Sequence, residues 1–496
     1  MSLLKKLASD TAAYGLSSIL ARLINFLFGF LIINYISTAE YGIYGQFYAY
    51  AGFILILLTH GMETTYFRFF NKYDDNRKVF ATAFFSIFSV SLLYLIISVA
   101  FSSKIAIAAE QPTHKEFVYY FTCMMFFDVL AALPFASLRA NGRSSQFALF
   151  KILNILIYII LNILFFIVLP KTTIGNTLDD IFSGNKVAYI FIANVLASFI
   201  TFLLLIKELK QLKHGVDLEM YKKMLPYALP IMLVGFAGMI NEMLDRALMI
   251  KLLPFDHQTN NEQLGIYTFN YKFSMLMTLF LQAYRYAAEP FFFAQAKNKD
   301  SKLIYAETMR IFIIGGCFIF LAITLNIPII KSLFTAYSDN AEILFQGAHI
   351  IPILLIANLL LGIYFNISTW YKVTDKTYFG AIISIFGALV TIVLNIIWVP
   401  KYGYVGAAWA TLFCYLVMVI LGYLLELKYY PIQYDLSRIF TYIVMSGLIY
   451  GLLQYLDTLF TLGIWLHTVF ALIGMALFML IVFISEKKLR KIAVQA

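Results

Sequence analysis

Seven charged side chains stand where charge is expensive. Arg22, Asp128, Glu242, Asp245, Arg246 and Lys272 fall inside long apolar runs, and Lys151 near the start of another. A charge near the bilayer centre costs roughly 2.5–3.5 kcal/mol on insertion scales, so each needs a partner or a wet cavity. Arg22 and Asp128 lie about eleven residues into their runs, close to mid-membrane at ~1.5 Å of rise per residue. Glu242, Asp245, Arg246 and Met249 are related by steps of three and four and share one helix face. Two chemistries fit such residues. One is buried ion pairing, Glu242 with Arg246 or Arg22 with Asp128, which locks helices together. The other is a central water-filled cavity that these side chains line.

The elements that position them follow from composition. Hydrophobic residues make up 61% of the 496 and charged residues 13%, with a mean hydropathy of +0.81. A soluble chain has roughly half and a quarter. A crossing helix needs an apolar run of about 20 residues. Fourteen such runs are present, at 12–35, 42–62, 79–101, 117–138, 147–169, 187–206, 228–252, 264–288, 309–330, 345–367, 378–399, 403–425, 438–457 and 462–485. Without period-two alternation, strands are excluded as spans. Lys5 and Lys6 precede a full-length apolar run without a small-residue cleavage site, so no cleavable signal peptide is expected.

Fourteen spans put both termini on one side. Connections and tails on that side hold 26 Lys and Arg, against 7 on the other. That bias over short loops places both ends in the cytoplasm. The net charge of +10 therefore reads as topology, and no basic, aromatic-interleaved polar domain exists to hold nucleic acid. Cys123, Cys317 and Cys414 lie in apolar runs without metal-ligand spacing, and no metal site or disulfide framework is expected.

The chain also repeats itself. Gly42-Ile43-Tyr44 recurs as Gly265-Ile266-Tyr267, 223 residues on, and each copy is followed by a tyrosine, Tyr48 and Tyr271. Leu161-Asn162-Ile163 recurs as Leu394-Asn395-Ile396, and each runs on to Pro-Lys. At the spacing of 223, Asp245 is the counterpart of Arg22. The expected fold is an all-α integral membrane protein of 14 transmembrane helices. Two six-helix lobes, 1–210 and 211–430, are related by a pseudo-two-fold axis along the membrane normal, and 431–496 adds two helices and a tail. Two such halves with a site between them is a transporter architecture.

Gly42, Gly45, Ala49 and Gly52 line one helix face, as do Gly403, Gly406, Ala407 and Ala410. Small residues let helices approach closely in lipid, so these are scaffold. His60, Glu63, Arg285 and Glu289 end spans at the predicted cytoplasmic face. Interfacial snorkelling explains them, and a rim that greets a phosphate headgroup is the alternative. Lys151 reads as a boundary residue, and Asn25, Asn154, Asn162 and Asn395 as helix–helix hydrogen-bond partners. The 207–227 connection, with Lys207, Lys210, Lys213, His214, Lys222 and Lys223, reads as a solvated linker touching anionic headgroups.

The stretch Val399-Pro400-Lys401-Tyr402-Gly403-Tyr404-Val405-Gly406-Ala407-Ala408 resembles the glycine-rich segment ahead of helix twelve in polysaccharide-export flippases. Leu229-Pro230, Asp245-Arg246 and Gly265-Ile266-Tyr267 resemble the same family, which belongs to the multidrug/oligosaccharidyl-lipid/polysaccharide superfamily. The resemblance spans essentially the whole chain. It implies a flippase that moves a polyprenyl-diphosphate-linked oligosaccharide from the cytoplasmic to the outer leaflet by alternating access, for O-antigen, capsule or exopolysaccharide synthesis. It implies a bacterial inner membrane, a bilayer and lipid-linked substrate as partners, and polysaccharide polymerase and chain-length machinery as further ones. By the same resemblance Arg22, Arg246 and Lys272 correspond to cavity cations for the diphosphate, and arginine's planar fork suits that group. Asp128, Glu242 and Asp245 then couple transport to an H⁺ or Na⁺ gradient or balance charge, with no cofactor. His60, Glu63 and Arg285 would frame the cytoplasmic entrance.

Two cousins remain alternatives, a peptidoglycan-precursor (lipid II) flippase and a cation-coupled multidrug antiporter. Embedded cations and fourteen spans weigh against the antiporter. An enzyme that joins glycans needs an extended outer loop. The longest here, about 170–186, carries only Asp179-Asp180, so no enzyme activity is expected.

Overall fold

The computed structural model describes residues 20, 23–24, 26–172, 185–295, 298 and 300–495; Arg22, Asn25 and Asp179-Asp180 lie outside these. Among the described residues the fold is all-helical, as expected. Eleven helices are long and apolar enough to cross a membrane. The first of the fourteen predicted spans begins outside the described residues. The eighth lies on a 39-residue helix, His257–Gln295, which is absent from the eleven. The eleventh and twelfth run on as one helix, Tyr378–Tyr429, which breaks at Gly403 (φ 58°, ψ −142°). That backbone region belongs essentially to glycine, which accounts for the glycine after Pro400-Lys401-Tyr402.

The helices are α1 (Thr38–Thr59), α2 (Met62–Phe70), α3 (Asn76–Ala100), α4 (Lys115–Ala140), α5 (Ser144–Ile163), α6 (Val187–Leu204), α7 (Leu218–Leu252) and α8 (His257–Gln295). After them come α9 (Ser301–Thr324), α10 (Ile351–Ile367), α11 (Tyr378–Tyr429), α12 (Leu436–Phe460) and α13 (Ile464–Gln495). Local chemistry sets their ends. Ser37 opens α1 with a capping box, its hydroxyl accepting from the Glu40 amide at 3.2 Å while the Glu40 carboxylate accepts from the Ser37 amide at 2.7 Å. α1 stops where His60 and Gly61 turn left-handed. Aspartates cap α3, α7 and α12 through Asp75, Asp217 and Asp435. The Met220 amide, with Lys78 nearby, holds the Asp217 carboxyl below the usual carboxylate range, against the opposing effect of desolvation.

Contacts divide the chain into two compact units. One comprises the described residues up to Gly265 with Asn395–Gly403, and the other Ile266–Leu394 with Tyr404 onward. In the first, α4 packs against α3 and α6, and α1 against α7. Its core includes Phe47, Phe117, Phe121 and Phe191, with Phe47 5.4 Å from Phe121 and 5.2 Å from Phe191 between ring centroids. The small-residue face of α1 is indeed a packing face. A Cβ on Gly42 would fall 2.0 Å from the Asn261 carbonyl oxygen, one on Gly265 2.0 Å from that of Thr38, and one on Gly52 2.7 Å from Met239 Sδ. The two repeated glycines therefore meet each other.

The connection between α6 and α7 is fastened by a buried carboxylate. Glu208 accepts hydrogen bonds from Arg143 and from Ser137 Oγ at 3.0 Å, and Gln211 Nε2 reaches both Ser137 Oγ at 3.1 Å and Glu208 at 3.3 Å. Glu208→Ala leaves those donors without their acceptor. It is expected to lower stability by about 2 kcal/mol, read as an earlier thermal unfolding of the purified protein.

In the second unit α9 packs against α10, α12 and α13. A Cβ on Gly362 of α10 would come 2.1 Å from the Phe312 ring of α9. α13 is tied at both ends: His467 Nε2 lies 3.0 Å from the Leu325 carbonyl oxygen, and Arg310 Nε 3.3 Å from Glu486.

Candidate functional site

A cavity of about 660 Å³ opens inside the first unit, a size typical of small-ligand sites. Helical period explains its lining. Met124, Asp128, Ala131, Phe135 and Arg139 recur along α4 at steps of four and three, Phe147, Lys151 and Asn154 along α5, and Tyr48, Gly52, Leu55 and Thr59 along α1. α6 contributes Asn194 and Thr201, and α2 contributes Glu63.

The polar groups are organised by contact. Lys151 Nζ stands 4.3 Å from the centroid of the Phe135 ring, a cation–π distance, and its charge is within electrostatic reach of Asp128. Arg139 pairs with Glu63 and lies 5.0 Å from the Phe67 ring centroid. Asn154 Nδ2 donates to Thr201 Oγ1 at 2.9 Å, whose hydroxyl donates to the Ala197 carbonyl at 2.7 Å. Asn194 donates to the Tyr48 hydroxyl. Walls of Leu55, Ile56, Met124, Met125 and Phe147 complete the space. Asp128, Lys151, Glu63 and Arg139 together carry no net charge. An ammonium and a carboxyl group that share one cavity between apolar walls can act on each other's charge: whichever finds an outside partner alters what the other needs.

Of the residues the sequence singled out, the cavity brings together Asp128, Lys151, Glu63 and Asn154, with Gly52 of the small-residue face. Arg22, proposed as a partner for Asp128, is outside the described residues, and Lys151 stands near Asp128. Arg139 was missed because it falls one residue past the predicted span 117–138 and so read as a loop charge. Lys151 looked like a boundary residue because it stands only four residues into its predicted span, 147–169. Asn154 is the helix–helix hydrogen-bond partner it was expected to be.

The other residues lie elsewhere. Asp245 and Arg246 are buried on α7, and the Asp245 carboxylate accepts the Arg246 backbone N–H at 2.7 Å. Glu242, on the face expected to be shared, is exposed, whereas Met249 is buried with them. Lys272 is buried on α8. His60 is buried too, its Nδ1 2.8 Å from the Leu58 carbonyl oxygen and its Nε2 2.8 Å from Ser86 Oγ. In the second unit Arg285 sits 4.2 Å from the Phe365 ring centroid and 3.7 Å from Glu289, which also takes Lys372 at 2.6 Å.

Comparison with known proteins places this geometry. The chain is similar over 96% of its length to a structure of the lipid II flippase MurJ in an inward closed conformation. That match has 17% identity, 99% coverage of the flippase and a TM-score of 0.75. An inward-facing multidrug resistance MATE family transporter of the MOP superfamily matches at 16% identity, 85% and 97% coverage and a TM-score of 0.67. A MOP superfamily transporter from Pyrococcus furiosus, described as having a binding pocket of reverse polarity, matches at 15% identity, 85% and 96% coverage and a TM-score of 0.55. These likenesses establish the fold. None of the curated proteins matches the chain. The MatE family model matches residues 230–397. The model described as "Polysaccharide biosynthesis protein" matches residues 7–295, more than half of the sequence, and so the chain, with eleven helices long and apolar enough to cross a membrane among the described residues, belongs to the polysaccharide biosynthesis protein family.

Proposed function

We propose that this protein flips a polyprenyl-diphosphate-linked oligosaccharide from the cytoplasmic to the outer leaflet of a bacterial inner membrane, supplying surface polysaccharide synthesis. Transport runs by alternation between inward- and outward-open states, with both termini cytoplasmic. The observation that carries this reading is the family match over residues 7–295. Physical chemistry supports it: a diphosphate leaving water needs charge-assisted donors, and Arg246 and Lys272 are basic side chains buried on apolar helices. With Arg22 they are assigned to the diphosphate. Asp128 and Lys151 are assigned to coupling: an anion drawn to Lys151 frees Asp128 to take H⁺ or Na⁺.

The test depletes the protein and asks whether a polyprenyl-linked glycan builds up in the cytoplasmic leaflet. An unchanged leaflet distribution rejects the proposal, and build-up of peptidoglycan precursor instead assigns the other carrier. Arg246→Ala and Lys272→Ala, at equal membrane abundance, are expected to slow export at least tenfold, since a charged hydrogen bond contributes about 1.5–3 kcal/mol. Arg22→Ala is expected to do the same and Arg22→Lys to retain part of the activity; full surface glycan in Arg22→Ala would make that residue structural.

A further inference from the structure

Where α2 ends and α7 begins, the first unit carries a second, smaller recess of about 330 Å³, lined by Arg68, Phe69, Lys72, Tyr73, Lys223, Pro226 and Tyr227. Three of its seven side chains are cations and none is acidic. The guanidinium of Arg68 lies 4.1 Å from the Tyr227 ring centroid, and Lys72 Nζ 5.8 Å from that of Tyr73. Tyr73 in turn stacks on buried Phe69 at 5.4 Å with the ring planes 8° apart.

Several neighbouring cations of this unit are neutralised. Lys78 has Asp217, Lys222 has Glu219, Arg139 has Glu63 and Arg143 has Glu208. Arg68, Lys72 and Lys223 have no carboxylate among the described residues, and all three are exposed. Their place is informative as well. Arg68 and Lys72 fall between the candidate spans Thr38–Thr59 and Asn76–Ala100, and Lys223 stands in the first turns of Leu218–Leu252. That is the level of the lipid headgroups, where tyrosines anchor and basic side chains meet anionic lipid.

We propose that Arg68, Lys72 and Lys223, set around Tyr73 and Tyr227, form a binding site for the phosphate of an anionic phospholipid headgroup, separate from the cavity that holds Asp128 and Lys151. Arg68 is oriented by its tyrosine and offers the planar fork. Lys72 and Lys223 supply two mobile ammonium groups, and acyl chains remain in the bilayer beside α7.

The test is native mass spectrometry of the purified full-length protein titrated with phosphatidylglycerol or phosphatidylcholine. The wild type is expected to retain phosphatidylglycerol preferentially. Arg68→Gln/Lys72→Gln/Lys223→Gln is expected to weaken the first bound phosphatidylglycerol about a hundredfold, from three surface cations. Lys72→Gln/Lys223→Gln, which leaves the Arg68–Tyr227 contact intact, should weaken it about tenfold or more. Lys207→Gln/Lys210→Gln/Lys213→Gln on the adjoining connection should leave it unchanged. Equal retention by the first triple variant overturns the site, and equal loss in the connection variant replaces it with diffuse charge. Displacement of the lipid by inorganic pyrophosphate at equal concentration overturns the assignment to a lipid headgroup. None of these readouts depends on transport.

Discussion

Alanine in place of Gly42 or Gly265 is expected to cost the protein on the order of 3 kcal/mol, the upper end of what overpacking usually exacts. The reason is what the new methyl would meet. At both positions it would fall 2.0 Å from a backbone carbonyl oxygen, Asn261 for Gly42 and Thr38 for Gly265. A side chain could rotate away from such a contact, but a helix backbone has to move as a whole. In lipid, where no hydrophobic effect draws helices together, a separated crossing loses the packing that replaced it. Gly447→Ala is the control, because a Cβ there has nothing within 4 Å. Melting followed by size-exclusion chromatography should show early aggregation of Gly42→Ala and Gly265→Ala and little change in Gly447→Ala. A Gly42→Ala protein that melts with the wild type would show that α1 and the start of α8 are not in register there.

The second large effect concerns the charged pair in the cavity. Asp128→Asn removes the acidic group from the cavity in which the Lys151 ammonium lies over Phe135, and Lys151→Met removes the cation from the cavity that holds Asp128. Either change is expected to lower stability by about 1–3 kcal/mol, less than for a fully dry ion pair because the cavity is roomy and polar enough for water. The double variant Asp128→Asn/Lys151→Met removes both charges and should recover most of that loss, giving a coupling energy of roughly 1–2 kcal/mol in the double-mutant cycle. Export separates structure from coupling. With stability restored, surface glycan should stay low in the double variant and lose its dependence on an ion gradient. Strictly additive single effects would mean that the two side chains do not sense each other, and full export in the double variant would make the pair a helix fastener only.

Much of the architecture was legible in the residues. Crossing a bilayer imposes a length and a composition, so α1, α3, α4, α5, α6 and α7 could be placed from apolar runs alone. The Ser37–Glu40 box and the aspartate caps are equally local, because they satisfy amides within one turn. Asp128 could be singled out because a carboxylate among Met124, Met125, Phe126 and Phe127 has no cheap explanation. The break at Gly403 was visible as a boundary between predicted spans 378–399 and 403–425, although the two helices continue end to end.

The rest was decided by which helices converge. Lys151 and Arg139 sit near span ends, where a cation reads as interfacial, and only the packing of α4 against α5 and α2 brings them to the cavity of Asp128 and Glu63. Arg68, Lys72 and Lys223 are 155 residues apart at their extremes, and no periodicity announces that they share one recess. The repeat did not announce that Gly42 and Gly265 press against each other. Composition and period act along one helix, through the cost of placing a side chain in lipid, and therefore determined a multi-span helical protein with scarce, meaningful charges. Partnership among those charges depends on distances across helices, and that belongs to tertiary packing.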